Sequence, residues 1–293
     1  MWPQYSRRPA PRLWILLLLS LLATLLLGAL VLGRFYVRRP TAAGPEIVEE
    51  PYPKTHISPP ELPLEPGVPR IALVIDDLGN RWNNEIVRGL LTLDVPLTLG
   101  IIPGLAYSER IAKAAHDQGE LVIAHVPMQP LQGRVGLGVP VIHPGASLME
   151  VETNLAPALH LPHAVGMNNH MGSAATQDPE TMGYVVSVCR ANGWFILDSI
   201  THASSVLYAQ AQLAGIPAAR RDIFLDHEHG AQSIRAELAA AERLARSHSR
   251  PIVVIGHPRP ETWEVLSSEV PKMQRRGVKF VRLTEALQKT DDR

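Results

Sequence analysis

The chain has 293 residues, is 46% apolar, and carries 28 basic and 28 acidic side chains for a formal net charge of zero. That balance offers no electrostatic case for nucleic acid, whose phosphates ask for a basic face. Cys189 is the only cysteine, which excludes an internal disulfide and a thiolate-rich zinc site.

Residues 1–12 form a basic segment with Arg7, Arg8 and Arg12. Leu13–Gly33 is a strongly apolar run without a charged residue and of the length, about 20 residues, that crosses a bilayer as a helix. It is expected to be a transmembrane anchor with its N-terminus in the cytoplasm; a cleaved signal peptide is the alternative. Residues 34–69 are rich in Pro and Glu and poor in large apolar groups. They read as a linker, because such a stretch cannot bury enough surface to fold. The folded domain is expected over 70–293.

Ile71–Ile75 is an unbroken apolar run, as in a strand buried on both faces, and it stops at Asp76 and Asp77. A helix is predicted over 82–93, a strand over 96–102, and a helix from Ser108 closed by Gly119. Leu121–Ala124 is a third buried strand ending at His125, and 127–146 has the glycines and prolines of a loop. Ser147 and Glu150 form a capping-box pattern, so a helix is predicted from there to Leu161 with a kink at Pro157.

Ala164–Met167 is predicted as strand four, followed by Asn168, Asn169 and His170. Asp178-Pro179 opens a helix to Ala191, as an N-cap followed by a first-turn proline. Further strands are predicted at 194–197, ending in Asp198, at 223–225, at 251–255, ending before His257, and at 278–282. Helices are expected over 206–214, 231–247 and 260–276. Alternation of this kind implies parallel strands, and so many units point to closure into a barrel.

In parallel α/β folds the strand C-termini open on one face, where chemistry collects. Asp76, Asp77, His125, His170, Asp198 and His257 all follow apolar strands and are therefore expected to converge. Two histidines and one aspartate make a three-ligand set for zinc or a similar divalent ion. A second Asp can take a proton from water and another His can donate one, the machinery for hydrolysing an amide or ester. His227, Glu228 and His229, beside Asp226, are read as a solvated turn.

These motifs resemble the polysaccharide deacetylase (NodB-like) superfamily, in particular its divergent branch, over 70–287. The resemblance rests on VIDDLG at 74–79, HVPMQP at 125–130, NNHMGS at 168–173, LDS at 197–199, RDIFLD at 221–226 and IGH at 255–257. It implies a distorted (β/α) barrel of about seven units that removes acyl groups from amino sugars with a divalent metal, most simply Zn2+. By the same resemblance Asp76 is the base, Asp77, His125 and His170 are the metal ligands, His257 is the acid and Asp198 supports the site. Asn169, Arg221 and Asp222 are assigned to substrate. Gln129 stands where the superfamily has its second metal histidine. The implied partner is a glycan of the bacterial envelope, with the domain on the periplasmic side of the inner membrane or exported after cleavage. An envelope protein that keeps the barrel and binds glycan without turning it over is the alternative. Oligomeric state is not legible.

Overall fold

The computed structural model describes residues 67–81 and 85–288. The basic segment, the expected anchor at 13–33 and nearly all of the linker at 34–69 lie outside these residues. Among the described residues, no helix is long and apolar enough to cross a membrane.

Strands and helices alternate in this order: β1 (Arg70–Leu78), α1 (Glu85–Leu90), β2 (Leu97–Ile101), α2 (Ser108–Asp117), β3 (Leu121–Met128), α3 (Leu148–Leu159), β4 (Ala164–Met171), α4 (Pro179–Ala191) and β5 (Phe195–Asp198). There follow α5 (Leu207–Leu213), β6 (Ala218–Arg220), β7 (Ile223–Phe224), α6 (Ala231–Ser247), β8 (Ile252–Gly256), α7 (Pro260–Arg275) and β9 (Lys279–Phe280). The capping box at Ser147 and Glu150 and the Asp178 cap of α4 both form as their residues predict. Strands β1, β3 and β4 run past their apolar stretches, so Asp76, His125 and His170 sit inside strands rather than after them. Pairing of β3 with β4, from His125 opposite Asn168 to Met128 opposite Met171, carries the ladder through these polar residues.

All the ladders are parallel, in the order β6-β5-β4-β3-β2-β1-β8-β7, with β9 beside the start of β1. The ladder is open between β6 and β7, but the chain itself bridges the gap. The stretch 218–225 bonds to β5 through its first half and to β8 through its second, with only Arg221 and Asp222 between the two strands. The expected barrel is thus met as a curled, open parallel sheet whose edges are joined by one extended segment.

Strand alternation sorts the side chains into two cores. Ile71, Leu73, Ile75, Val122, Ala124, Val126 and Met167 pack outward against the helices. Ala72, Val74, Leu121, Ile123, Phe195, Leu197, Val253 and Ile255 fill the interior, where Leu283, Ala286 and Leu287 of the C-terminal segment join them. Continuing the inward set by two residues reaches Asp76 in β1 and His125 in β3. The interior is therefore apolar through its body and polar at the mouth.

Candidate metal centre

Two backbone irregularities bring the polar groups together. Strict alternation sends the neighbours Asp76 and Asp77 to opposite faces of β1. A register shift between Ile75 and Leu78, with Asp77 at φ +60°, turns both toward the mouth. Aspartate tolerates this left-handed conformation better than most residues, at a cost of about 1 kcal/mol. The second irregularity lies in β4, where Val122 pairs with Ala164 but Ala124 pairs with Met167, leaving one extra residue on β4. This bulge includes Gly166, whose missing side chain makes room for Phe195. Beyond the bulge the inward positions are Asn168 and His170.

One oxygen of Asp77 lies 2.7 Å from His170 Nδ1 and 3.1 Å from His125 Nε2, and the two ring nitrogens are 3.2 Å apart. His125 and His170 are buried, and Asp77 is half-buried. Among the described residues this is the one group of three such side chains whose donor atoms meet closely enough to hold a metal ion. Ligands about 2 Å from a tetrahedral ion stand roughly 3.3 Å from one another, so the spacing fits a divalent metal. The chemistry of the donors fits as well. His125 Nδ1 faces Asn168 Oδ1 at 2.8 Å, which leaves the Nε2 lone pair turned toward Asp77 and His170. Two imidazole nitrogens and a carboxylate facing one another call for a cation or a proton between them.

The electrostatics carry the same demand. Burial alone lowers the pKa of His125, but the Asp76 and Asp77 carboxylates outweigh it and raise the value to about 9. Burial also works against the Asp77 charge, yet the hydrogen bonds from His125 and His170 hold its pKa well below the ordinary 3.8. In the metal-free chain His125 therefore binds a proton where a cation is wanted. Because its folded pKa exceeds the ordinary 6.5, its stabilising contribution is complete below that pH and is lost as pH rises through about 9. Chelated protein is expected to lose melting temperature between pH 7 and 9.5, whereas metal-loaded protein keeps it. Thermal scans across this range check the difference, which is expected to widen steadily with pH.

Asp76 lies beside the triad, fully enclosed, with its pKa raised because burial outweighs the nearby histidines. Asn168 Nδ2 donates to Asp76 Oδ2 at 2.8 Å, while Oδ1 has no hydrogen-bond partner. That second oxygen occupies a slot opened by Gly100 of β2, where a Cβ would collide with it. Across the mouth, His257 Nε2 is 3.7 Å from Asp77 Oδ2, and its Nδ1 lies 2.7 Å from Asp226. The Asp226 carboxylate also accepts from the His257 backbone and from Thr262. Burial pulls the His257 pKa down, but the Asp226 hydrogen bond and charge outweigh it, so the value is raised. Phe224 packs against the His257 ring, with centroids 5.3 Å apart.

The remaining residues expected at the site are held by contacts of their own. Asp198 shares the outward face of β5 with Ile196, and its carboxylate accepts from the Ile200 and Tyr208 backbones and the Ser205 hydroxyl. It holds the segment after β5 in place. Asn169 points away from Asn168 by alternation and binds the Ser199 N–H and the Met171 carbonyl. Arg221 donates to the Ser199 and Ile200 carbonyls. Asp222 forms a two-pronged ion pair with Arg250 at 2.6 and 2.8 Å and accepts from the Val253 N–H, well below His257 on β8. Gln129 turns to His143 in the following loop. These contacts give Asp198, Asn169, Arg221 and Asp222 a part in holding the segments around the mouth. Sequence reasoning missed Asn168, Asp226 and Gly100 as parts of the site. For Asn168 the available signal was its place two residues before His170.

With this geometry in hand, the comparisons with known proteins are decisive. The model of the divergent polysaccharide deacetylase family matches residues 73–287. The chain belongs to this family. An uncharacterized protein of Haemophilus influenzae is 34% identical over 200 residues, covering 68% of this chain and 70% of that one. The uncharacterized protein YibQ of Escherichia coli is 33% identical over 202 residues, covering 69% of this chain and 62% of its own length. The match thus leaves more than a third of YibQ unspanned. The crystal structure of an uncharacterized protein from Agrobacterium tumefaciens superposes with a TM-score of 0.70 at 20% identity, over 79% of this chain and 94% of that one. That likeness is one of fold. Family membership and the Asp77–His125–His170 triad together support a metal-dependent hydrolase, with a divalent cation as its cofactor.

Proposed function

We propose that this protein removes acetyl groups from N-acetylated amino sugars of a bacterial envelope polysaccharide. The observation that carries the reading is the meeting of Asp77, His125 and His170 at the mouth, flanked by Asp76 on one side and the His257–Asp226 pair on the other. In this reading Asp77, His125 and His170 hold the ion, and Zn2+ suits two imidazoles and one carboxylate. When bound, the ion acidifies water and polarises the acyl carbonyl. Asp76 takes the proton of the attacking water, and His257 delivers a proton to the sugar nitrogen as the amide C–N bond breaks. Acetate and a free amine leave. Asp226 keeps the His257 ring turned and protonated until that step. The apolar Leu13–Gly33 run, between basic flanks, supports a place at the inner membrane with the domain on the periplasmic side.

The test is acetate release from oligomers of N-acetylglucosamine by the purified protein. Release that stops with a chelator and returns with added Zn2+ is the expected result. Oligomer binding without acetate, unchanged by chelator, would instead make the protein a glycan-holding wall component.

A further inference from the structure

Asn168 stands at the centre of the site and does something no other residue there does. Directly opposite His125 in the β3–β4 ladder, it is wholly buried and faces Asp76 and Ser199 as well. The two ends of its amide are chemically distinct. The NH2 end meets Asp76 Oδ2 at 2.8 Å and Ser199 Oγ at 3.1 Å, and the oxygen meets His125 Nδ1 at 2.8 Å. As the base of the proposed reaction Asp76 is ionised and only accepts, which fixes the NH2 on the Asp76 side and so leaves the oxygen for the imidazole. An amide turned the other way would set oxygen against oxygen at Asp76. It would also offer N–H to His125 Nδ1, pushing the ring proton to Nε2, where the triad needs a lone pair.

We propose that Asn168 is a positioning residue whose single amide fixes two things at once: the ligating face of His125 and the orientation of the Asp76 carboxylate. The inference rests on the metal reading of the triad and adds to it the coupling of ligand and base through one side chain. No cationic side chain is hydrogen-bonded to Asp76 among the described residues, so Asn168 supplies the donor that holds this carboxylate. Hydrogen bonds that orient a metal-binding histidine typically change metal affinity by about 10–100-fold when removed.

The two halves of the role come apart in different variants. Asn168→Ala removes both contacts. Asn168→Asp keeps an acceptor for His125 Nδ1–H but takes the donor from Asp76 and sets an oxygen against it. Zn2+ affinity, measured by competition with a chromophoric chelator, is expected to fall about 10–100-fold in Asn168→Ala and to stay within about threefold of wild type in Asn168→Asp. Acetate release is expected to fall by about 100-fold or more in both. In the Zn2+-loaded wild type, the His125 Nδ1 proton should be visible by NMR as protected from exchange. That protection should persist in Asn168→Asp and vanish in Asn168→Ala.

Equal loss of Zn2+ affinity in the two variants, or equal retention, would overturn the inference, as would a His125 proton found on Nε2 in the Zn2+-loaded wild type. If Asn168→Ala does not fold, Asn168→Asp still decides, because weakened Zn2+ binding there contradicts the role. The affinities and the ring proton need no substrate. Wild type that binds Zn2+ yet releases no acetate would therefore count against the deacetylase reading and leave the Asn168 result standing on its own.

Discussion

Replacing Asp76 by Asn is expected to lower turnover by about 100- to 10,000-fold, the span that a general base contributes, while metal binding persists. Asp76 makes no contribution to the three converging donor atoms, which come from Asp77, His125 and His170. Its hydrogen-bonded link to the metal ligands runs through Asn168, beside a 3.7 Å approach to His125, and an amide at position 76 still offers an oxygen to the Asn168 NH2. Steady-state kinetics beside metal analysis of the same preparation separate the two effects. Metal lost from Asp76→Asn, with Asp77→Asn retaining it, would exchange the roles of the two aspartates. A variant as active as wild type would remove Asp76 from the chemistry.

The second large effect is expected at His257 and Asp226. His257→Ala should lose turnover by about 100- to 10,000-fold through the missing proton donor, with the metal still bound. Asp226→Asn is more informative, because it touches the acid only through its environment. Asp226 stays ionised, its pKa lowered by the His257 hydrogen bond against the opposing effect of burial. In turn it raises the pKa of His257. Without that charge the imidazolium gives up its proton at lower pH, so the alkaline limb of kcat/KM should move toward acid. An unmoved limb would show that His257 does not supply the proton.

Much of the site was legible because strand ends in a parallel sheet share a mouth. Asp77, His125 and His170 come from β1, β3 and β4, and no spacing along the chain links them; the topology does. What sequence could not reveal is which way each side chain turns. At Asn168-Asn169 the choice depends on the one-residue bulge at Gly166, and without that bulge Asn169 takes the inward face. Asp198 follows Phe195 and Leu197, which fill the interior, so alternation sends it outward. Periodicity shows that strand FILD is buried but not which of its faces looks inward.

The surroundings of Asp222 are illegible in the sequence for a different reason. A strand is predicted only over 223–225, yet the extended segment spans 218–225 and is shared between the two edges of the sheet. Asp222 falls at the crossing, beside Val253 and Arg250, rather than at a strand terminus. Strands as short as β6, of three residues, carry too little pattern to be seen in advance. The lengths of β3 and β4 were underestimated because polar residues inside a strand look like its end. Gly100 illustrates the reverse: an ordinary glycine in an apolar strand proves to be the space in which a buried carboxylate oxygen sits.

Everything chemical in this account depends on a cation held by two imidazoles and one carboxylate drawn from three strands. Metal analysis of purified wild type, His125→Ala and His170→Ala by mass spectrometry tests that directly. About one divalent ion per chain in wild type, lost from both variants, is the expected outcome for a three-ligand site. Wild type that takes up no ion at micromolar supply, or variants that keep theirs, would contradict it.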